Sequence, residues 1–203
     1  MNARSITVRT LVGDAITPYV DDLARLRIQV FREWPYLYAG SVAYEAEYLQ
    51  VYTRSKRSVA VLAFEGGKVV GASTGLPLAE ESDAFIRPFV EAGYRPESVF
   101  YCGESVLLPA YRGQGLGHRF FDEREGHARA LGGFAWTAFC AVDRDPDDPR
   151  RPQRHRDNDV FWRKRGYEPV AGMQVALTWP EVGDEGDVGH TLSCWTRPLE
   201  VFW

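Results

Sequence analysis

The succession of strand-like and helix-like segments predicts an α/β (α+β) fold with a mixed, mostly antiparallel sheet. Three observations predict it: a β-branched run at Ile6–Val12, two apolar runs joined by Gly66-Gly67, and a strand at 99–108 that enters a helix through a glycine-rich turn. The two runs joined by Gly66-Gly67 must pair as antiparallel strands. The strand at 99–108, which is followed by a turn and a helix, indicates that one pair of strands in the sheet is parallel. The 203 residues fit a single domain that spans residues 1–203.

The first half of the chain predicts two helices and then a hairpin. Thr17-Pro18 indicates the start of the first helix, and Trp34-Pro35 its end, because a residue before proline avoids the helical conformation. Ser41 is a predicted N-cap for the second helix. The tyrosines of that helix recur at helical spacing, which is more typical of a core than of a ligand-binding face. The hairpin strands follow at 58–64 and 68–74.

The second half continues the alternation. Gly132-Gly133 predicts the end of a helix, since glycine is preferred just after a helix. Three prolines among five acidic and five basic residues mark 143–157 as a loop, long for a compact domain. The whole chain then holds about seven strands and about four helices, besides a short helical segment at 84–92. The later helices are predicted at 116–131 and 160–165, and the later strands at 99–108, 134–142, 171–179 and 190–199.

Composition and charge exclude several classes of protein. The net charge of −4, without a basic stripe, argues against a nucleic acid as the main partner. Cys102, Cys140 and Cys194 are far apart and no CxxC motif occurs, so we expect neither a metal site nor disulfides and infer a reducing compartment. The start of the chain lacks the apolar core of a signal peptide, and no apolar run is long enough to span a membrane. We therefore expect a cytoplasmic protein without membrane contact.

The most informative segment is the turn Arg112-Gly113-Gln114-Gly115-Leu116-Gly117. Its glycines allow a tight turn with exposed N–H groups, and the helix that follows points its positive dipole end into the same space. This combination suits a phosphate or pyrophosphate, with Arg112 as an additional donor. The sequence lacks the lysine of a Walker A loop and the spacing of a dinucleotide fingerprint, so both motifs fit poorly. A tight turn without any ligand is the alternative at this point.

The residues around this turn resemble the acetyl-CoA signature of the GNAT superfamily of N-acetyltransferases. Arg112, Gly115 and Gly117 occupy the signature positions, and Pro109 matches the residues that often precede them. A second match lies at 161–167, where an aromatic pair and a short charged stretch precede Gly-Tyr. The order of elements matches as well, so the resemblance covers nearly the whole chain.

The resemblance implies a fold and a co-substrate. The sheet would be splayed between strands four and five, and acetyl-CoA, without a metal, would bind in the gap. Backbone N–H groups of the glycine-rich turn would hold its pyrophosphate, and the strand before the turn would pair with its pantetheine arm. Asn158 would contact this arm or else cap the last helix. The residues that the resemblance assigns to the co-substrate are Leu107, Leu108, Arg112, Gly113, Gln114, Gly115, Leu116, Gly117, Asn158 and Trp162.

The resemblance also implies transfer of an acetyl group to an amine by direct attack on the thioester. Glu104, an acid inside an apolar strand, is the candidate general base, or else the structural partner of a buried arginine. Many members of the family protonate the leaving thiolate with a tyrosine where this chain has Trp162. Tyr101, Tyr167 or His155 then becomes the candidate donor, with solvent as an alternative. Loss of catalysis would leave a non-catalytic acyl-CoA-binding or sensor protein.

The loop after the first helix is unusually aromatic for a connector. In this family the acceptor site is built largely from the first two helices and their loop, which here holds Trp34, Tyr36 and Tyr38. These rings either line a pocket for an apolar or cationic amine or cover the sheet. The expected acceptor is a small-molecule or peptide amine, and the expected state is a monomer or a homodimer. The arginines of the 143–157 loop could bind an anion, unless the acids beside them neutralise them.

Overall fold

The computed structural model describes residues 5–199. The prediction that the chain starts without a signal peptide falls largely on residues 1–4, which lie outside the described residues, as do residues 200–203. The strands are β1 (Ile6–Val12), β2 (Val59–Glu65), β3 (Lys68–Pro77), β4 (Val99–Tyr101), β5 (Ser105–Leu107), β6 (Trp136–Val142), β7 (Glu168–Pro180) and β8 (Asp187–Pro198). The α-helices are α1 (Val20–Phe31), α2 (Val42–Tyr48), α3 (Gln50–Arg54), α4 (Asp83–Glu91), α5 (Leu116–Leu131) and α6 (Asp159–Lys164).

All of these strands belong to one mixed sheet. Its order is β1-β2-β3-β4-β6-β8-β7, and β5 pairs with β3 beside this path. The pairs are antiparallel except for β4 with β6, which is parallel. A parallel neighbour requires a long crossover, and α5 supplies it between β5 and β6. The predicted fold class, a mostly antiparallel sheet with one parallel neighbourhood, is confirmed.

The predicted strand at 99–108 is interrupted by three residues, 102–104. Its first part, β4, pairs with both β3 and β6, whereas β5 pairs with β3 alone among the described strands. The N–H of Cys102 donates to the carbonyl oxygen of Ala138 on β6 at 2.7 Å, which marks the point where the chain leaves β6. The sheet is therefore splayed between the fourth predicted strand, which contains β4 and β5, and the fifth predicted strand, which is β6. This is the splay that the resemblance implied.

The helix boundaries follow local signals in most places. Ser41 Oγ accepts a hydrogen bond from the backbone N–H three residues later at 3.3 Å, which confirms the predicted N-cap. The prediction that Thr17-Pro18 starts the first helix is wrong: Gly13–Tyr19 forms a 3₁₀ helix, and α1 begins at Val20. The predicted second helix is divided at Leu49 into α2 and α3.

Apolar side chains cover both faces of the sheet. Alternate residues of β2 belong to different clusters, because successive side chains of a strand point to opposite faces. Leu62 lies in the cluster of Leu23 from α1, and Val61 lies in the cluster of Phe120 from α5. The two helical layers therefore enclose the splayed strands from both sides. None of the helices between residues 5 and 199 combines the length and apolar character needed to cross a membrane.

Candidate active site

A cleft of about 1250 Å³ opens where β5 separates from β6. Its walls come from the end of α1 and the next loop, from residues 102–107, from the first turns of α5, from β6 and from the segment 143–162. The remaining predicted co-substrate residues, Leu108 and 113–116, directly adjoin wall residues in the chain. The predicted site residues that the cleft brings together are Trp34, Tyr36, Glu104, Leu107, Arg112, Gly117, Asn158 and Trp162.

The start of α5 has the backbone features that favour an anion. Gly113 has a φ of 75° and Gly115 a φ of 82°, a region that residues with a side chain rarely adopt. A β carbon on either would meet no other residue's atoms within 4 Å, so backbone conformation rather than crowding requires glycine. Gly115 precedes α5, whose first N–H groups have no partner within the helix. These N–H groups and the helix dipole favour a bound phosphate.

Arg112 lies across the mouth of the cleft. Its Nε donates to the carbonyl oxygen of Leu107 at 3.0 Å, and its Nη2 donates to Glu33 Oε2 at 3.0 Å. Both charged side chains are about half exposed, so their ion pair contributes little to stability. A phosphate at the start of α5 would compete with Glu33 for this guanidinium.

The outer edge of β5 offers backbone groups to the gap. The N–H of Leu108 donates to β3 at 3.0 Å, and the carbonyl oxygen of Glu104 accepts from β3 at 3.0 Å. In an antiparallel pair alternate residues direct their amide groups to opposite sides. The N–H and C=O groups of Ser105 and Leu107 therefore face the gap. An extended ligand that carries amides could pair with them as an added strand.

Glu104 is a buried carboxylate at the inner end of this edge. Only 5% of the residue is exposed. Arg27 Nη1 donates to its Oε2 at 2.6 Å, whereas its Oε1 has no hydrogen-bond partner among residues 5–199. Burial raises the pKa of Glu104 above its ordinary value, and the charge of Arg27 opposes that rise. Glu104 lines the cleft, and a carboxylate with an unpartnered oxygen can accept a proton.

Arg27 holds Glu104 in place. Its Nε donates to Glu45 Oε2, and its guanidinium carbon lies 4.0 Å from the ring centre of Tyr48 and 5.0 Å from that of Phe31. Burial alone would lower the pKa of Arg27, but Glu104 and the neighbouring acids raise it well above its ordinary value. The arginine therefore stays charged. Glu104 is the partner of a buried arginine, which is the predicted structural alternative, and its second oxygen has no hydrogen-bond partner among the described residues.

An aromatic wall faces β5 across the cleft. The ring of Trp162 on α6 lies 4.9 Å from that of Phe139 and 5.2 Å from that of Trp195, between ring centres. An indole N–H is a donor only and is no practical acid at neutral pH. Asn158, which precedes α6, makes no side-chain capping hydrogen bond, so the alternative role as a cap is not seen. Its side chain remains in the cleft wall.

The opposite end of the cleft is held together by Arg144. Its guanidinium donates to the carbonyl oxygens of Pro35 and Tyr36, the latter at 2.8 Å, and pairs with Glu181. Glu181 is only 2% exposed and also pairs with Arg150. These contacts join the aromatic loop after α1 to the 143–157 loop. Three arginines of this loop are engaged by acids of the protein, since Arg150 also pairs with Asp148 and Arg151 pairs with Asp157, as the self-neutralised alternative requires for those two.

Tyr36 and Trp34 form the aromatic part of this end. The ring of Tyr36 lies 4.4 Å from that of Phe31 and 5.9 Å from that of Trp179, and burial raises the pKa of Tyr36 to about 12. The ring of Trp34 lies 6.1 Å from that of His155, another residue of the cleft wall. Both rings therefore contribute to the cleft and to its packing.

Two predicted site residues lie away from the cleft wall. Tyr101 is 2% exposed, its ring packs 5.1 Å from that of Phe85 and 6.4 Å from that of Phe89, and burial raises its pKa well above the ordinary value. Tyr38 is 6% exposed and packs 6.3 Å from Tyr44. Both side chains are directed into the core between the sheet and the helices before β4.

The other predicted proton donors differ in position. The hydroxyl of Tyr167 is hydrogen-bonded to Thr137 at 2.9 Å and to Glu125 at 3.1 Å, outside the cleft wall. His155 lines the cleft and lies 3.2 Å from Asp157. Among the three residues named as possible donors, the structure therefore brings His155 alone into the wall.

Sequence reasoning missed Arg27 and Arg124. Both occupy apolar positions of a helical pattern: Arg27 follows Leu23 by four residues, and Arg124 follows Phe120 by four. Both are buried, and Arg124 belongs to the cleft wall. A charged residue on the buried face of a helix is rare unless it is paired, and that signal could have identified them.

The family follows from a comparison of the whole chain with family models. Residues 25–151, more than half of the chain, match the model described as the Acetyltransferase (GNAT) family. The matched range includes Glu104 and the turn before α5. The chain belongs to the GNAT acetyltransferase family, which confirms the resemblance found in the sequence.

Solved structures share the fold. An acetyltransferase from Streptococcus agalactiae is 16% identical, with 96% of this chain and 98% of that one covered and a TM-score of 0.59. The protein yncA from Salmonella typhimurium, solved with its cofactor acetyl-CoA, is 12% identical over 96% and 94%, with a TM-score of 0.57. NAA60 of Arabidopsis thaliana, solved with a bisubstrate analogue, is 11% identical over 96% and 100%, with a TM-score of 0.59. At these identities the likeness shows the fold alone. Among curated proteins none matches this chain.

Proposed function

We propose that this member of the GNAT family is an acetyl-CoA-dependent N-acetyltransferase that acts on an amine of a small molecule or peptide. The observation that carries the proposal is the continuity of one cleft, from the start of α5, along the open edge of β5, to Glu104. Acetyl-CoA presents a pyrophosphate, an arm with two amides and a thioester in that order. Each group would meet a chemically matching feature in the same order along the cleft.

The binding residues follow from this match. The N–H groups of Gln114, Leu116 and Gly117 would hold the pyrophosphate, with the Arg112 guanidinium beside them. The edge of β5 at Leu107 would pair with the amides of the arm. The aromatic wall around Trp162 would exclude water from the arm, and the amide of Asn158 could hydrogen-bond to it.

The reaction needs an uncharged amine. Its nitrogen forms a bond to the thioester carbonyl carbon, the carbon–sulfur bond breaks with its electron pair on sulfur, and the nitrogen gives its proton to Glu104, directly or through water. A backbone N–H near Leu107, that of Ser105 at the inner end of the open edge of β5, is a donor that could polarise the thioester carbonyl. The proton that Glu104 accepts returns to solvent after the product leaves.

Three structural neighbours support the proposal. The Salmonella protein was solved with acetyl-CoA and the Arabidopsis protein with a bisubstrate analogue, and both share the fold over nearly the whole chain. An aminoglycoside 6'-N-acetyltransferase with the same fold was solved with coenzyme A. From these neighbours we carry over CoA as the co-substrate of this chain. The acceptor is inferred instead from the aromatic loop that carries Trp34 and Tyr36.

The first experiment measures release of the CoA thiol from acetyl-CoA across a panel of small-molecule and peptide amines. We expect turnover with at least one amine, and thermal stabilisation by CoA but not by ATP or NAD. Tight CoA binding without turnover on any amine would contradict the enzymatic proposal. Stabilisation by ATP or NAD alone would favour a nucleotide-binding site instead.

A variant tests the role of Glu104. Glu104→Gln keeps the size of the side chain and an oxygen for Arg27 but cannot take up the proton. We expect turnover to fall by about 10²–10⁴-fold, the usual contribution of a general base, with CoA affinity unchanged. Glu91→Gln, an exposed acid on α4, is the matched control. A variant with the wild-type pH profile would exclude Glu104 as the base.

A non-catalytic acyl-CoA-binding protein is the second candidate, and Trp162 favours it because no tyrosine acid stands there. Trp162→Tyr distinguishes the two candidates. A protein inactive as wild type and active as Trp162→Tyr would have lost catalysis at this position. Turnover by the wild-type protein would exclude the non-catalytic candidate.

A further inference from the structure

Arg124 of α5 lies where the sheet divides. It is 2% exposed and belongs to the cleft wall. Its Nη1 donates to two carbonyl oxygens, those of Thr74 and Glu104, both at 3.2 Å. Thr74 is on β3 and Glu104 precedes β5, so the guanidinium bridges these two segments close to the point where β5 separates from β6.

Among residues 5–199 Arg124 has no carboxylate within ion-pair distance, although its charge helps to lower the pKa of the nearby Glu104, which burial raises. Its Nε has no hydrogen-bond partner among the same residues. The adjacent acid, Glu125, pairs instead with Arg165 and Arg197. The guanidinium carbon lies 4.7 Å from the ring centre of Phe121, an apolar neighbour. Burying an unpaired cation costs stability, so its presence is explained if an anion joins it during function.

The geometry of the gap indicates which anion that is. From the start of α5 the open edge of β5 leads inward for three residues, about 10 Å of extended chain, to Glu104. The gap closes there, because Cys102 is hydrogen-bonded to Ala138 of β6. An arm that pairs with β5 and is anchored by its pyrophosphate at α5 would bring its sulfur to this closed end, beside Arg124.

We propose that Arg124 stabilises the departing CoA thiolate as an ion pair, in place of an acid that would protonate it. The inference rests on the proposed function. When the carbon–sulfur bond breaks, its electron pair stays on sulfur, and the thiolate takes a proton from solvent only after release. This assignment accounts for Trp162 in the wall and for the distance of Tyr101 and Tyr167 from the cleft.

The groups around Arg124 set the balance of charge at this end. Burial raises the pKa of the Cys102 thiol, and Arg124 is the charge that opposes the rise. Glu104 faces the same region but is held by Arg27, Glu125 is engaged by other arginines, and the phenol of Tyr167 is hydrogen-bonded and protonated. The charges that act on a bound thiol would therefore be that of Arg124, which is not in an ion pair, and that of Glu104, which is paired with Arg27.

The test compares binding of CoA with binding of desulfo-CoA, which lacks the thiol, by calorimetry between about pH 6 and pH 9. A free thiol has a pKa of about 8.5. If Arg124 stabilises the thiolate, the thiol of bound CoA ionises at lower pH. The preference for CoA over desulfo-CoA should then rise about tenfold or more over this range. Ultraviolet absorbance of the thiolate measures the same ionisation independently, and neither measurement requires acetyl transfer.

Three variants separate charge from hydrogen bonding. Arg124→Gln keeps a donor for the two carbonyls without the charge, and we expect the CoA preference to vary less than about twofold with pH. Arg124→Lys keeps the charge and should retain the rise. Arg165→Gln is the matched control, since Arg165 lies 5.1 Å from the same Phe121 ring but is already paired with Asp122. It should behave as wild type.

Two results would overturn the assignment: a flat preference in the wild-type protein that binds CoA, or a wild-type rise in Arg124→Gln. The wild-type titration decides the question by itself if thermal melting shows that the variants do not fold. Failure of the wild-type protein to bind either CoA or desulfo-CoA would contradict the proposed function instead. The two failures are therefore distinguishable.

Discussion

The phenol oxygen of Tyr52 lies directly against Gly103, in the break between β4 and β5. A β carbon on Gly103 would overlap that oxygen and would lie 2.9 Å from Thr74 Oγ1. Tyr52 is fully buried, so its ring cannot swing out into solvent to relieve the overlap. Gly103→Ala should therefore destabilise the protein by about 1–3 kcal/mol, the usual range for overpacking, as measured by urea unfolding.

The partner variant tests whether this contact is the cause. Tyr52→Phe removes the overlapping oxygen and should restore part of the stability lost in Gly103→Ala, which a double-mutant cycle measures as coupling. Gly126→Ala is the control, because a β carbon at this position in α5 meets no other residue's atoms within 4 Å. It should be neutral or stabilising by up to about 1 kcal/mol. Equal losses at both glycines would contradict the packing argument.

The pH dependence of catalysis should respond to Glu45. Burial is the largest cause that raises the pKa of Glu104. The charge of Arg27 lowers this pKa, and the charge of Glu45 raises it. A general base works only when ionised, so activity is lost as the pH falls through the Glu104 pKa. Glu45→Gln removes one negative charge near Glu104, and the acid limb of kcat/KM should move to lower pH.

The control for this shift is Glu91→Gln, which removes an exposed carboxylate of α4 that pairs with Arg87. Its acid limb should coincide with that of wild type. A limb that stays in place in Glu45→Gln, or moves to higher pH, would show that another group governs the profile.

Local signals explain why the order of elements could be predicted. The Gly66-Gly67 turn, the Ser41 cap and the glycines after α5 act on neighbouring residues, and the structure shows a turn, a cap and a helix end there. The splay of the sheet was predicted from the family resemblance and not from a local signal. The hydrogen bonds of Arg124 to the carbonyl oxygens of Thr74 and Glu104 connect residues 50 and 20 positions apart, which no local pattern encodes.

The direction of individual side chains was the harder part to predict. Tyr101 and Glu104 are three residues apart in one predicted strand, but the break at 102–104 separates their environments: Tyr101 enters the core, and Glu104 reaches the cleft wall. Similarly, the aromatic loop divides, with Tyr36 in the cleft wall and Tyr38 in the core. Periodicity assumes uninterrupted elements, so it cannot assign faces beyond a break.

Stability should fall with rising pH because of Glu81. Its Oε2 accepts from the N–H of Ser82 at 2.7 Å, whereas its buried Oε1 has no hydrogen-bond partner among the described residues. Burial raises the pKa of Glu81 from 4.5 to about 7. Between these two pKa values Glu81 keeps its proton in the folded state and loses it in the unfolded state. The stability that this proton contributes is fully present below the pKa of the unfolded state, and it is lost as the pH rises through the pKa of the folded state.

The size of this effect is at most about 3 kcal/mol. Urea unfolding at about pH 5 and about pH 8 measures it, and Glu81→Gln, which cannot ionise, should reduce the difference. An identical difference in Glu81→Gln and wild type would assign the pH dependence to other groups.

Glu181 should have the opposite pH dependence. Burial alone would raise its pKa, but hydrogen bonds from Arg144 and Arg150 lower it below the ordinary value. Its contribution is therefore present above the unfolded pKa and is lost as pH falls through the folded one. Glu181→Gln should destabilise the protein by about 3–5 kcal/mol, because it leaves a largely buried arginine unpaired. It should also raise KM for the amine, since Arg144 holds the loop of Tyr36.

CoA affinity provides the internal comparison for Glu181→Gln, because the start of α5 is not among the contacts of Glu181. We expect an unchanged Kd for CoA by calorimetry. Glu168→Gln, which removes an exposed partner of Arg163, should change unfolding far less. A raised Kd for CoA with an unchanged KM for the amine would place the 143–157 loop at the co-substrate instead of the acceptor.

Gly117 provides the most direct test of the anion site. A β carbon there would meet only Phe161, at an ordinary contact of 3.6 Å, so the folded protein has room for a side chain. Glycine in a helix is less stable than alanine by up to about 1 kcal/mol, and stability alone would therefore favour alanine. A ligand that passes close to the start of α5 explains the glycine, because a methyl group would occupy its space.

Gly117→Ala should therefore unfold at the same temperature as wild type or a higher one, while its Kd for CoA rises at least about tenfold, a loss of about 1.4 kcal/mol of binding. Gly126→Ala lies later in the same helix and should gain similar stability without loss of CoA affinity, which separates a helix effect from a contact with the ligand. A Gly117→Ala protein that binds CoA as tightly as wild type would mean that the pyrophosphate does not cross the start of α5. In that case the arm would have no anchor there, and the position of its sulfur beside Arg124 would lose its support.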